Sequence, residues 1–297
     1  MRMRRIFWLM LAVLSIAPVV QAADNGLVLW FNYEENPTQQ TAGVVQDQSS
    51  QANNGTVEEG WAGYGLPTYE GSHDGSRAML FGGGNGSTWN NVAVPKSTSL
   101  ANLGTKFSMG GWIRVDDVGG WGATYPKMIS TPNYELTMHA GTDPASYFWP
   151  YAQEANPWGT PGSWDMSMAN SGPYEHTWMH MIVTYDGTTF TQYINGASAF
   201  TATDFAHQFD NSTWDGEFWA TSPLKIGAQL SAYATDNGWL NGALDDTAIW
   251  GNAYLDAAGV AALYNGTATP LTVGTIPEPA TMLLIGLGFA LIRRKQA

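Results

Sequence analysis

The sequence predicts an all-β protein in which two antiparallel sheets pack face to face. Two runs of apolar and β-branched residues lie within Trp178 to Phe200, separated by Asp186-Gly187 and closed by Asn195-Gly196. Asn and Gly tolerate the positive φ of tight turns between antiparallel strands, so each pair marks a chain reversal. The chain of 297 residues also contains 34 glycines and 14 tryptophans, which agrees with many turns and large aromatic core residues.

Further strands are predicted on both sides of this hairpin. Leu27 to Glu35 alternates, which places Leu27, Leu29, Phe31 and Tyr33 on one face of a first strand. Later runs with the composition of strands are 77–81, 91–94, 107–115, 127–130, 134–139 and 223–230. Two aromatic-rich intervals, 140–175 and 204–222, are too long for ordinary hairpin connections and are interpreted as insertions. Asp256 is the expected N-cap of a short helix over 257–264.

Three separated motifs resemble laminin-G-like, concanavalin A-like jelly-roll domains. They are the Trp-x-His, Tyr-Asp-Gly and Tyr-x-Asn-Gly hairpin after Thr177, the strand Phe107 to Val115, and the strand and helix of Leu240 to Gly266. The resemblance covers residues 26–267 and implies an antiparallel two-sheet jelly-roll sandwich, with the first strand paired to 242–250. Sugar binders, protein binders and enzymes share this fold, so activity has to be argued from a site.

The N-terminus is predicted to be a signal peptide over residues 1–22. Arg2, Arg4 and Arg5 precede an apolar run, and Val20-Gln21-Ala22 supplies a small-residue cleavage triplet. The alternative is a retained membrane helix. The apolar run disfavours a membrane helix, because its 15 residues are too few to span a bilayer and include Ser15 and Pro18.

Residues 268–297 are predicted to be a linker followed by a membrane-sorting helix. Pro277, Glu278 and Pro279 precede an apolar run and then Arg293 and Arg294, an order similar to the PEP-CTERM sorting tail of Gram-negative bacteria. The 13-residue apolar run would reach about 20 Å as a helix, short of the roughly 30 Å of hydrocarbon, which favours transient anchoring. The resemblance implies that an inner-membrane sorting protease, an exosortase, cuts near Pro277. A permanent anchor is the alternative.

Composition restricts the partners of the exported part. Residues 26–275 contain six basic and 23 acidic residues, a net charge of −17. Such a surface repels phosphate backbones and anionic lipids, so nucleic acid is a poor candidate and cations or neutral ligands are better ones. The chain has no cysteine, which excludes thiol nucleophiles, thiolate metal sites and disulfides.

Catalysis is not predicted. The Glu-x-Asp-x-x-Glu strand motif that glycan hydrolases use on this fold is absent, as are His-Glu-x-x-His and Gly-x-Ser-x-Gly. Glu135 has Thr137 and His139 as its neighbours on the same strand face, which cannot supply a second carboxylate. His176 and His180 are expected on one strand face with Trp178, either as packed residues or as a metal pair. A glycan hydrolase or lyase is the third hypothesis.

A structural calcium site is the predicted cofactor site. Calcium takes several oxygen ligands, and Asp47 and Asn54 lie in one predicted turn. The resemblance adds Asp245 on the closing strand, a position that often contributes to calcium binding in that family. Alternatively, Asp47 caps its turn and Asp245 accepts backbone hydrogen bonds.

The aromatic insertions suggest a binding function. Trp and Tyr rings stack on the apolar faces of sugars, and the candidate platforms are Trp149, Tyr151, Trp158, Trp164, Trp214 and Trp219. These rings could instead pack beneath their own loops. The leading hypothesis is an exported, non-catalytic module at the cell envelope or in the extracellular matrix that binds carbohydrate or exopolysaccharide. Its rival is a structural or adhesive protein that acts through protein contacts.

Overall fold

The structure is a computed structural model. It describes residues 25–35, 43–59, 65–82, 90–101, 103–116, 126–131, 134–139, 145–150, 166–170, 175–203, 224–228, 238–274 and 276–277. Within these ranges the fold is a sandwich of two antiparallel sheets with two short helices, and the alternation and turn signals predict the sheets. No helix in these ranges is long and apolar enough to cross a bilayer.

Sheet 1 is organised around the predicted central hairpin. Its strands are β1 (Leu27–Phe31), β4 (Thr68–Gly71), β5 (Arg77–Phe81), β7 (Phe107–Val115), β12 (Met179–Tyr185), β13 (Phe190–Ile194), β14 (Ala197–Ala202) and β16 (Gly242–Gly251). Their order is β14-β13-β12-β7-β16-β5-β4, and β1 pairs with the far end of β16. The expected pairing of the first strand with the closing strand is therefore confirmed.

Sheet 2 covers the other side of the core. Its strands are β2 (Val44–Val45), β3 (Gly55–Glu59), β6 (Asn90–Val94), β8 (Lys127–Ser130), β9 (Tyr134–His139), β10 (Ala145–Pro150), β11 (Met166–Asn170) and β15 (Leu224–Ile226). They follow the order β11-β10-β9-β8-β15-β6-β3-β2. Both β10 and β11 lie in the interval 140–175, so part of that predicted insertion continues the sheet.

The main hydrophobic core contains buried residues from both sheets. Sheet 1 contributes Phe31, Phe107 and Met181, and sheet 2 contributes Val92 and Ile129. Along β7, alternate residues enter this core because successive side chains point to opposite faces of a strand. The intervening residues face outward, which is how the strand positions the candidate site described below.

A second apolar cluster lies on the outer face of sheet 1. Helix α1 (Thr98–Ala101) is short, whereas α2 (Ala257–Tyr264) covers this face and is capped by Asp256, whose Oδ1 accepts the amide hydrogen of Gly259 at 2.7 Å. Val260 and Leu263 of α2 pack with Trp250 and Val273. Residues 268–274, expected to be a linker, thus pack against the sandwich.

Local departures from the predicted strands have backbone causes. The register of β1 shifts between Leu27 and Leu29, so Leu27 joins the outer cluster while Leu29 enters the main core. The strand ends at Phe31, and Tyr33 has a φ of 54°. His176 has a φ of 56° and precedes β12, so the expectation that His176 and His180 share a strand is wrong.

A buried ion pair links β8 and β9 of sheet 2. Lys127 Nζ lies 2.7 Å from Glu135 Oε2, and each side chain is 1% exposed. Ser130 Oγ donates to Glu135 Oε1 at 2.8 Å. Burial lowers the pKa of Lys127, and the nearby Glu135 carboxylate partly offsets that shift.

A third, two-stranded sheet joins the body to the start of the tail. Strand β17 (Ala253–Tyr254) pairs with β18 (Ile276–Pro277), which places Pro277 of the predicted sorting motif opposite Ala253. The predicted signal peptide and the rest of the sorting motif, including Glu278, Pro279, Arg293 and Arg294, lie outside the described residues.

Candidate functional site

The outer face of sheet 1 carries a group of four rings that we call the aromatic patch: His73, Trp112, Trp178 and Tyr264. His73 stacks on Trp112 with ring centroids 3.7 Å apart, and Tyr264 stacks on Trp112 at 5.6 Å. The edge of Trp178 meets His73 at 6.1 Å. Trp112 is 8% exposed, while Tyr264 is 36% exposed. The patch therefore has a buried centre and an accessible rim.

Charged side chains border the patch beside Trp178. The guanidinium of Arg114 lies 5.3 Å from the centre of the Trp178 ring and donates two hydrogen bonds of 2.6 Å to Asp116. Arg114 also pairs with Glu70 at 2.7 Å. The hydrogen bond to Asp116 is the main reason that the pKa of Arg114 is raised. The arrangement places a cation over an aromatic ring.

An acidic cluster lies next to the aromatic patch and shares His73 with it. Ligand atoms of His73, Asp74 and Asp245 all lie within 4.8 Å of one another. Ser72 Oγ donates to Asp245 Oδ2, and Asp245 Oδ1 accepts the amide hydrogen of Asp246 at 2.8 Å. Burial, with a smaller contribution from Asp246, raises the pKa of Asp245 to about 8. Burial also lowers the pKa of His73.

The predicted calcium ligands Asp47 and Asn54 have a structural role in their turn. The two oxygens of Asp47 accept hydrogen bonds from Trp30 N, Ser49 N, Ser49 Oγ and Asn53 N at 2.7 to 2.9 Å. Asn54 Oδ1 accepts from Asp47 N at 3.0 Å. Asp245 instead joins His73 and Asp74. The calcium prediction for these residues stays a prediction.

The predicted sugar platforms lie in parts of the chain whose side chains the structure does not describe. Trp149 is on β10, where its Cα pairs with that of Glu135 on β9. The other five, Tyr151, Trp158, Trp164, Trp214 and Trp219, lie outside the described residues. They stay predictions.

The aromatic patch itself was not predicted. The sequence does contain one signal: along Phe107 to Val115 the core residues alternate with Trp112 and Arg114, so a tryptophan and an arginine share the outer face. His73 and Tyr264 had no such signal, because a loop and a helix from distant parts of the chain bring them to Trp112. His180, also near Trp112 at 5.0 Å, is buried as a packed residue.

Two antiparallel sheets packed face to face define a jelly-roll β-sandwich. In this chain the outer face of sheet 1 also carries the aromatic patch. The chain belongs to the concanavalin A-like lectin/glucanases superfamily, whose laminin-G-like family model matches residues 85–260, more than half of the chain. A second model, the PEP-CTERM protein-sorting motif, matches residues 275–295. This motif implies export and targeting to the cell envelope. No curated protein matches the chain in sequence.

Solved structures share the fold at low sequence identity. Domain 4 of AbnA, a GH43 extracellular arabinanase from Geobacillus stearothermophilus, in complex with arabinotriose, is 16% identical with a TM-score of 0.52, covering 80% of this chain and 98% of that domain. The binding domain of botulinum neurotoxin DC in complex with rat synaptotagmin II is 15% identical, with a TM-score of 0.50 over 83% of this chain and 53% of that one. Botulinum neurotoxin type C, whose cell entry depends on interaction with two ganglioside molecules, is 14% identical with a TM-score of 0.51. The match covers 82% of this chain and 52% of that one. This chain thus spans about half the length of the two neurotoxin chains.

Proposed function

We propose that the protein is an exported, non-catalytic module that binds carbohydrate at the cell envelope or in the extracellular matrix. Three observations support this function: the superfamily, the sorting motif, and structural neighbours that include an arabinanase domain holding arabinotriose. The acidic, cysteine-free composition also suits an uncharged ligand outside the cell.

The aromatic patch is the observation that carries the proposal. Trp178 and Tyr264 are partly exposed on its rim, where their rings can stack on the C–H faces of a sugar. Arg114 and Glu70 border the same rim and can hydrogen-bond sugar hydroxyls. We expect additional stacking from the platforms predicted at Trp149, Tyr151, Trp158, Trp164, Trp214 and Trp219.

Substitutions on the rim test this site. Trp178→Ala and Tyr264→Ala should each weaken retention of the purified domain on a glycan array by about two- to tenfold, since each removes a stacking surface worth roughly 0.5 to 1.5 kcal/mol. Tyr254→Ala is the matched control, because Tyr254 lies on β17 against Lys106, at 5.4 Å, and not in the patch. Unchanged retention of both rim variants would refute this location for the site.

A structural calcium ion is a separate part of the proposal. Asp74 and Asp245 offer carboxylate oxygens within 4.8 Å of each other, which fits the oxygen ligands that calcium prefers. Titration calorimetry on the wild-type domain and on Asp245→Asn tests it. Heat of binding that the variant loses would support the ion at Asp245; equal heats in both proteins, or none in either, would reject it.

Two other functions define alternative outcomes. A structural or adhesive role through protein contacts is favoured by the neurotoxin neighbour in complex with synaptotagmin II. It would show as binding to envelope proteins with no signal on any glycan. Asp74 and Asp245 do not fit a glycosidase carboxylate pair, because Asp245 is 2% exposed and their oxygens lie within 4.8 Å, closer than the roughly 5 to 9.5 Å between glycosidase carboxyl groups. Turnover of a polysaccharide would overturn the non-catalytic proposal.

A further inference from the structure

A small cavity lies between the outer face of sheet 1 and α2. Side chains of β7, β12 and β16 form its floor, and Leu263, Ala268 and Pro270 form its roof. Its volume is about 20 Å³, which is enough for one water molecule and too little for a sugar ring.

Two of the described residues that line this cavity have buried ring nitrogens without a hydrogen-bond partner. His180 is 2% exposed and Trp250 is fully buried. His180 Nδ1 and Trp250 Nε1 have no hydrogen-bond partner within the described part of the protein. Leaving a buried polar group unpaired is unfavourable, so two such groups on residues that line one cavity point to an occupant.

Asp246 supplies a third polar group at the cavity wall. It follows Asp245 at the irregularity of β16, where a φ of 47° departs from the strand conformation. Trp30 Nε1 donates to Asp246 Oδ1 at 2.8 Å. A carboxyl group has several acceptor positions, so Asp246 can accept a further hydrogen bond from the cavity.

The chemistry of these three groups selects the occupant. An indole N–H only donates, and a carboxylate only accepts. Burial lowers the pKa of His180 to about 3, so the imidazole is neutral and Nδ1 can accept. The occupant must therefore accept one hydrogen bond and donate two. A cation cannot accept from the indole, whereas water meets all three requirements.

We propose that this cavity is a binding site for one structural water, which accepts from Trp250 Nε1 and donates to His180 Nδ1 and to Asp246. The water joins β12 to β16 directly beneath the end of α2. Leu263 lines the cavity and its neighbour Tyr264 stacks on Trp112. The water thereby also fixes the ring that forms the rim of the aromatic patch, although the site itself does not depend on the proposed sugar binding.

Nuclear magnetic resonance of the wild-type domain tests the water directly. The Trp250 indole proton should show a cross-peak to a long-lived water, and the nitrogen shifts of His180 should report an unprotonated, hydrogen-bonded Nδ1. The Trp30 indole proton is bonded to Asp246 and serves as a reference, since its cross-peak to the same water should be weaker than that of Trp250. Absence of the water cross-peak at Trp250, or a proton on His180 Nδ1, would overturn the proposal.

Two variants supply a second measurement of the proposed water. Trp250→Phe assigns the indole signal, and His180→Leu removes one acceptor of the water. In His180→Leu we expect the long-lived cross-peak at Trp250 to be lost and its indole proton to exchange with solvent at least about tenfold faster. An unchanged cross-peak would contradict the role of His180. The wild-type measurement decides the question alone if either variant fails to fold.

Discussion

The buried pair of Lys127 and Glu135 allows a quantitative test of the sandwich interior. Removal of one partner takes away the opposite charge 2.7 Å from the other, in a site where each side chain is 1% exposed. Such a change costs about 3 to 5 kcal/mol, whereas replacing both partners with apolar residues is often neutral or stabilising. We therefore expect Lys127→Met to be severely destabilising and Lys127→Met combined with Glu135→Leu to recover most of the loss.

A second ion pair on the same sheet provides the control. Lys225 pairs with Glu58, but the side chain of Glu58 is 43% exposed, so solvent screens the pair. Lys225→Met should cost no more than about 1 kcal/mol. Urea denaturation followed by tryptophan fluorescence measures five proteins at pH 7: the wild type, Lys127→Met, Glu135→Leu, the double variant and Lys225→Met. At a slope of about 3 kcal/mol/M, the Lys127→Met midpoint should fall by at least about 1 M.

Two results would refute this reasoning. One is an equal shift for Lys127→Met and Lys225→Met, which would mean that the interior pair is as well solvated as the exposed one. The other is a double variant whose loss equals the sum of the two single losses, because additivity would show that the partners do not interact.

Three further predictions concern sheet 1 and α2. In chelator-containing buffer, wild-type stability should fall as pH rises from about 4 to about 8. Burial raises the pKa of Asp245 to about 8, so over this range the folded state retains a proton that the unfolded state releases. Asp245→Asn should flatten this part of a profile of melting temperature against pH, and an unchanged slope would contradict the prediction. Gly110→Ala should cost more than about 3 kcal/mol in urea, because its Cβ would lie 1.9 Å from Met181 O, whereas Gly71→Ala, with open space around it, should cost far less. Asp256→Ala should lower the free energy of unfolding by about 1 kcal/mol through loss of the α2 cap, and no loss in calorimetry would show that the cap is dispensable.

The fold could be predicted because its signals are local. Alternation along Phe107 to Val115, the turn pairs Asp186-Gly187 and Asn195-Gly196, and the Asp256 cap each depend on a few neighbouring residues. The boundaries were less accurate. The predicted strand 223–230 is observed only over Leu224–Ile226, and the register shift in β1 moved Leu27 out of the main core.

The candidate site could not be predicted in the same way. Its rings come from a turn after β4, from β7, from the approach to β12 and from the end of α2, and no local pattern shows that these four meet. The environment of Asp245 is equally non-local, because Ser72 and His73 bury it from a different strand connection. The hydrogen bonds of the Asp47 turn, in contrast, are mostly between neighbouring residues. Its short polar residues form the local hydrogen bonds that their spacing favours.

The Asp47 turn covers the edge of β1 and so affects association between molecules. Among the described strands β1 pairs with β16 alone, so its other side would be an open strand edge. Asp47 accepts from Trp30 N, Gln48 N donates to Trp30 O, and both Ser49 Oγ and Asn53 Nδ2 donate to Val28 O. The polar turn therefore occupies the backbone positions that a strand of another chain would need, which disfavours polymerisation of the exported domain through this edge.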